Sequence, residues 1–226
     1  MRAAILGAFF DDMKKIEEYS RISTQMTHTD PKAEYGALTI ALAAYMSKNH
    51  IADGSQFLDV MKPLLGQSGE ELFDLLKAAV RSVEQNQSTL NFAVELGLGS
   101  GVSGYVYHTV PIVVHAWLSH PSDYPSAVTA VIECGGDADT TAAIAGGIVG
   151  ARVGKTGIPK EWLTNIFEWP RSVSWMEKLA NQLGSCFISK KNERPIGVFP
   201  GLTLIRNLFF LVVVFLHVFR RVLPPY

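Results

Sequence analysis

Apolar side chains recur at three- and four-residue intervals along most of the chain. Leu72, Leu75, Leu76, Ala79 and Val83 make one stripe and predict a helix over Glu70–Glu84. Ala33, Ala37, Ile40, Ala41 and Ala44 repeat the spacing after Asp30-Pro31, with Gly36 on an adjoining face. Asp30 suits an N-cap there and Pro31 the first helical position. Asp11-Asp12 can cap a helix running to about Ser23. Gln56–Leu65 reads as a short helix between glycine-bearing turns, whereas Leu90–Leu98 fits neither period clearly. Pro111–Leu118 is an apolar segment, Pro121 and Pro125 punctuate the turn after it, and Ser126–Glu133 follows. Pro159 opens a helical turn at Lys160–Leu163. Val173, Met176, Leu179, Ala180 and Leu183 form a last amphipathic stripe, closed by Gly184. No set of alternating strands and no long internal repeat is visible. The pattern predicts an all-α bundle.

The tail breaks the pattern. Leu208–Leu216 is nine apolar residues without interruption. Extended back to Val198 the stretch holds Arg206 and Asn207; forward it meets His217, Arg220-Arg221 and Pro224-Pro225. A spanning helix needs about 20 predominantly apolar residues, and Val198–Phe219 is 22 residues with one charge. The shortness of the unbroken run favours a docked or interfacial helix over a span. Membrane contact through Leu208–Phe219 is therefore the less favoured reading, and a membrane-tethered helical protein stays as an alternative.

Composition narrows the function classes. Apolar residues are 48% and charged residues 18% of the 226, which fits one globular core rich in buried helix. A net charge of −1 gives no electrostatic case for nucleic acid. Two cysteines, Cys134 and Cys186, make no disulfide framework, so a reducing, cytoplasmic setting is expected, with peripheral membrane association through the tail as its variant. Ala3–Phe10 is apolar but too short for a secretory signal, and Asp11-Asp12 stands where a small-residue cleavage site belongs.

The chemistry concentrates between Cys134 and Gly154. Gly135-Gly136 precede two carboxylates, Asp137 and Asp139, then Thr140-Thr141 and a run of Ala, Gly, Ile and Val. The run reads as a helix of small residues that neighbours can approach closely, with Asp139 at the N-cap. Paired carboxylates with the Thr140 hydroxyl suit a hard cation such as Mg²⁺. A plain turn and helix cap explains the same residues, and local chemistry leaves both readings open.

Gly135-Gly136-Asp137-Ala138-Asp139-Thr140-Thr141, the small-residue helix, and Gly157-Ile158-Pro159 resemble the C-terminal signature of the ADP-ribosylglycohydrolase family. Other segments match in the family's order as far as about Trp162. Thr27-His28-Thr29-Asp30-Pro31 resembles its His-Thr/Ser-x-Pro segment, which implies that His28, by itself a turn histidine, lies near bound ADP-ribose. Gly101, Ser103, Gly104 and Tyr105 resemble its Gly-x-x-Gly-Tyr-Val loop, which lines the ADP-ribose cleft. Met1-Arg2 resembles the end of the family's glycine-rich substrate loop, whose glycines this chain lacks. Gly99–Gly104 also spells G-x-G-x-x-G, but nothing around it reads as a strand–loop–helix unit, and Pro111 interrupts the stretch where the long helix would have to run. His108, His115 and His120 lack the i, i+4 spacing of a helical zinc pair and read as surface or partly buried residues. Trp162, Trp169 and Trp175 read as core or docking residues.

The resemblance implies a compact orthogonal helix bundle over residues 1–185, N-terminally incomplete, with 186–226 as an extension bearing the apolar helix. It implies hydrolysis of the bond between ADP-ribose and an acceptor. Two Mg²⁺ ions are expected in the family, with Asp137, Asp139 and Thr140 as the metal ligands of this chain. Arg2, His28, Gly101, Ser103, Gly104 and Tyr105 are the implied substrate-binding residues. The family's Gly-Asp-x-x-Gly and Thr-Asp-Asp-Thr segments, with the expected catalytic acid, have no counterpart here. A truncated or degenerate member with at most a partial metal site is the expectation, and a non-catalytic ADP-ribose-binding module is the alternative.

Overall fold

Four aspartates start helices here for one reason: an extended aspartate can turn its carboxylate onto the free N–H groups of the next turn. The computed structural model describes residues 1–223, so Pro224 and Pro225 lie outside the described residues. In it Asp12 accepts from the Lys14 N–H at 2.9 Å, Asp30 from Lys32 at 2.9 Å, Asp53 from Gln56 at 2.9 Å and Asp123 from Ser126 at 3.1 Å. The helices run in the order α1 Ala4–Phe9, α2 Met13–Gln25, α3 Pro31–Lys48, α4 Gly54–Leu65, α5 Glu70–Glu84 and α6 Thr89–Glu95. They continue with α7 Val106–Ser119, α8 Tyr124–Glu133, α9 Ala138–Val153, α10 Lys160–Thr164, α11 Val173–Ser189 and α12 Pro200–Val222. Among the described residues there is no strand, only an isolated parallel bridge between Val102 and Gly136. The all-α expectation holds.

Met1–Ile158 forms one compact unit and the residues from Pro159 a second. In the first, α3 and α7 are central. Every residue of α3 from Leu38 to Ala44 is buried, and α3 packs against α1, α2, α7 and α9. The alanines let backbones come close, and α1 shows how close: a Cβ on Gly7 would overlap the Ala41 carbonyl oxygen. The apolar Ala3–Phe10 stretch is thus a packed helix of the bundle.

Three local expectations are corrected. The first part of Leu90–Leu98 falls in α6, which ends at Glu95, because Ser88 accepts from the Asn91 N–H at 3.2 Å and Phe92 and Ala93 are buried. Pro111 does not interrupt the chain but sits inside α7. Only one intrahelical bond is lost there, and burial of Thr109 through Leu118 outweighs it. Gly184 does not close α11, which runs on to Ser189 with Lys190 left-handed at φ 56°. Phe187, one turn beyond Leu183, extends the apolar stripe.

In the second unit, Gln182 ties the chain after α11 back onto that helix, accepting from the Ile196 N–H at 3.1 Å and donating to the Arg194 carbonyl at 2.9 Å. The docked form of the tail is not what forms: no residue of α12 is buried. Its apolar side chains face all directions and stay uncovered.

His115 departs from the surface or partly buried setting expected for it. It is fully buried on α7, with Nε2 3.1 Å from Ser82 Oγ and Nδ1 3.1 Å from Thr89 Oγ1, and it stacks on Phe92. Burial first, and His120 second, push its pKa down to about 4 from 6.5. The folded chain therefore holds it neutral, whereas the unfolded chain takes up a proton near 6.5. Its contribution is complete above that value, declines as pH falls toward 4 and is flat below. The gap is on the order of 3 kcal/mol. Denaturant unfolding from pH 7 to 4 should show the wild type losing about that much relative to His115→Gln. A wild-type-minus-variant difference independent of pH would mean that the folded imidazole is protonated freely.

Candidate functional site: a cleft beside the acidic motif

The acidic motif and the glycine loop are joined backbone to backbone. The Val102 N–H donates to the Gly135 carbonyl at 3.2 Å, and the Asp137 N–H donates to the Val102 carbonyl at 2.7 Å. Glycines permit it. Gly135 and Gly136 have φ of 67° and 75°, and Gly101 has φ 125°. A Cβ on Gly101 would lie 2.9 Å from the Gly136 Cα, and one on Gly104 would lie 2.7 Å from Asp137 Oδ2.

Asp139 is not the N-cap, as its place in the motif suggests. Helix α9 starts at Ala138, two residues earlier than that would require, so Asp137 is the N-cap residue and Asp139 lies in the first turn. Asp137 differs from the four capping aspartates, because its carboxylate makes no cap hydrogen bond. The ψ of 58° at Asp137, set by the glycines before it, departs from the extended backbone of those four. A cap therefore does not account for Asp137. Asp139 is exposed and Asp137 half-buried. The hydrogen-bonded Asp137 carboxyl first, and the Thr140 backbone N–H second, hold Asp139 below the usual carboxylate range.

The loop then delivers Tyr105. Ser103 Oγ accepts from the Tyr105 N–H at 3.2 Å and lies 2.8 Å from His108 Nδ1, while Thr109 Oγ1 donates to the Ser103 carbonyl at 3.0 Å. From the other side Lys32 Nζ donates to the Tyr105 hydroxyl at 3.1 Å and to Glu71 at 2.7 Å, and it stands 4.7 Å over the Tyr107 ring. The bond to Glu71 first, and that to Tyr105 second, raise the Lys32 pKa, so the ammonium stays charged.

Arg2, His28, Gly104, Tyr105 and Thr140 line one cleft of about 690 Å³, within the size range of small-molecule sites. Its floor is apolar, built by Leu6, Ala37, Ile40, Val110 and Ile144. Arg2 is held by donation from Nη2 to the Ser23 carbonyl at 2.6 Å and to Thr27 Oγ1 at 2.9 Å, and from Nε to Ser23 Oγ at 3.0 Å. Thr27 Oγ1 also lies 2.8 Å from His28 Nδ1. Gly101 and Ser103 are not in the lining; they hold the loop from behind. Asp137 and Asp139 are outside it as well, adjoining it through Gly104 and Thr140.

The wall from α2 was not anticipated. Ser20, Ser23, Thr24 and Thr27 all line the cleft, and the buried Ser20 hydroxyl has no partner among the described residues. The available signal was a polar stripe at i, i+3 and i+4 along α2, continued by Thr27 in the turn after it. Lys32 and Glu71 were missed because they are far apart in sequence and meet only in the fold.

A metal centre is only partly provided. Among the described residues no group of three or more His, Cys, Asp or Glu side chains gathers. Asp137, Asp139 and Thr140 offer hard oxygens, and Mg²⁺ is commonly held by one or two carboxylates with water and phosphate oxygens completing the shell. The donors fit one such ion in kind, with most of its shell left to other groups.

An ADP-ribosylglycohydrolase family model matches residues 1–193, past Trp162 and through α11. An uncharacterised protein of Archaeoglobus fulgidus is 28% identical over 185 residues, covering 81% of this chain and 56% of that protein. ADP-ribosylhydrolase ARH3 of Mus musculus is 25% identical over 188 residues, covering 72% of this chain and 50% of the relative. The Homo sapiens ARH3 is 26% identical over 188 residues, covering 72% and 51%. The chain spans about half the length of the curated relatives it matches. With twelve helices and no strand among the described residues, and with the match extending from residue 1 to 193, the chain belongs to the ADP-ribosylglycohydrolase family.

Proposed function

We propose that the cleft binds the ADP-ribose of a modified acceptor and serves Mg²⁺-dependent hydrolysis of the bond that attaches it. The observation that carries this reading is the junction of loop and motif, which brings Gly104, Tyr105 and Thr140 to a cleft that already holds Arg2 and His28. The similarity to ARH3, an ADP-ribosylhydrolase by name, supports it.

Each group has work suited to its chemistry. The Arg2 guanidinium, locked by Ser23 and Thr27, offers charge and donors to a diphosphate. Tyr105, gripped by Lys32, offers a fixed aromatic face to a base or sugar. Ser20 offers an unused hydroxyl, and His28 a ring nitrogen beyond the one near Thr27. Asp137, Asp139 and Thr140 would hold the Mg²⁺. When bound there, Mg²⁺ supplies electrostatic stabilisation and orientation at the reacting sugar. A reducing, cytoplasmic setting goes with this reading on the cysteine count alone, two being too few for a disulfide framework.

The two-carboxylate donor set favours a second reading, an ADP-ribose-binding module without turnover. Calorimetry with ADP-ribose, paired with release of ADP-ribose from a modified peptide with and without Mg²⁺, separates the two. Binding with Mg²⁺-dependent release supports the hydrolase. Binding without release leaves the module, and the absence of binding removes both.

A further inference from the structure

Helix α12 carries its apolar surface on the outside. None of its residues is buried, and Phe209 and Leu216 are 66% and 65% exposed. Leu208 to Leu216 makes two and a half turns at about 3.6 residues per turn, so apolar side chains point in every direction. A protein groove or a second copy of the helix covers one stripe of such a cylinder. Hydrocarbon covers all of it.

The polar residues sit at the two ends. Thr203, Arg206 and Asn207 mark the first part, and His217, Arg220 and Arg221 the last. At about 100° per residue these six share one arc of roughly 140°. Phe210, Val213 and Val214 fall in that arc too and leave its middle apolar. A helix lying flat on a membrane would expose that middle to water; a helix crossing the bilayer would not. Arg206 is already paired with Glu168 at 3.0 Å within the second unit, and long cationic side chains at the ends can reach the headgroups. No Asp or Glu occurs in α12. Its 23 residues are about 34 Å long, against about 30 Å for a hydrocarbon core. A soluble protein can bury a helix this apolar in its core, but this one is not buried.

We infer that α12 crosses a lipid bilayer and anchors the chain, with its Pro200 end, toward which the long Arg206 side chain reaches, at one headgroup layer and Arg220-Arg221 at the other. The test is synthesis of the full chain with phosphatidylcholine vesicles, with and without phosphatidylserine, followed by flotation. Aggregates sink, so a floating chain is a bound one. Flotation on both lipids that survives high salt and alkaline carbonate is the expected result. Leu211→Glu with Phe215→Glu should lower the floated fraction at least about tenfold, whereas Asn181→Glu on α11 should leave it unchanged. Release by salt or carbonate would overturn the inference in favour of surface adsorption. So would absence of flotation, including a soluble dimer in which a second copy covers the helix.

Discussion

Gly136→Ala should unfold the chain more easily by on the order of 3 kcal/mol and lower its ADP-ribose affinity at least about tenfold. The added Cβ would overlap the Val102 carbonyl oxygen and come within 2.5 Å of the Val102 nitrogen. Both are backbone atoms and cannot rotate away. The residue also has φ 75°, which strains any side chain. Relief requires the 101–103 segment to move off, breaking the two hydrogen bonds that join loop to motif. Gly104 and Tyr105 ride on that segment, so the cleft wall moves with it. Gly97→Ala separates the two causes. Gly97 has φ 77° but meets nothing within 4 Å, so it reports the backbone strain alone, about 1 kcal/mol. Denaturant unfolding and calorimetry on the two variants check this. Equal effects would mean that the loop–motif contact holds neither fold nor cleft.

Asp137→Asn with Asp139→Asn should remove the response to Mg²⁺. In the wild type, a cation bound only by the folded chain raises the melting temperature, because binding to one state shifts the equilibrium toward it. The doubly substituted chain should need at least about a hundredfold more Mg²⁺ for the same rise. Its metal-free melting temperature should change little, because the Asp137 carboxylate caps nothing and an amide oxygen at position 139 can still accept from the Thr140 N–H. If the pair were a structural device, that temperature would drop and the Mg²⁺ response would persist. A melting scan across Mg²⁺ concentrations reads both. An unchanged Mg²⁺ response in the variant would place the donors elsewhere.

The sequence alone determined the helical class, the starts of α2, α3, α5, α10 and α11, and the apolar stripe of α5. These depend on neighbours within one or two turns: an aspartate capping the next turn, Pro31 at a first helical position, leucines three and four apart. It also determined the family, because Gly135–Thr141 and Gly101–Tyr105 are contiguous motifs. Only the tertiary structure decided the rest. Pro111 stays helical because α7 is buried, which local rules cannot weigh. Asp137 rather than Asp139 precedes the helix because two left-handed glycines set the entry angle. His115 is neutral because Ser82, Thr89 and Phe92 arrive from two other helices. The clamp of Lys32, Glu71 and Tyr105 joins three separate segments, and the Ser20–Thr27 wall became a cleft wall only once α2 lay beside Arg2. Burial and long-range contact set these properties, and both are absent until the chain has closed.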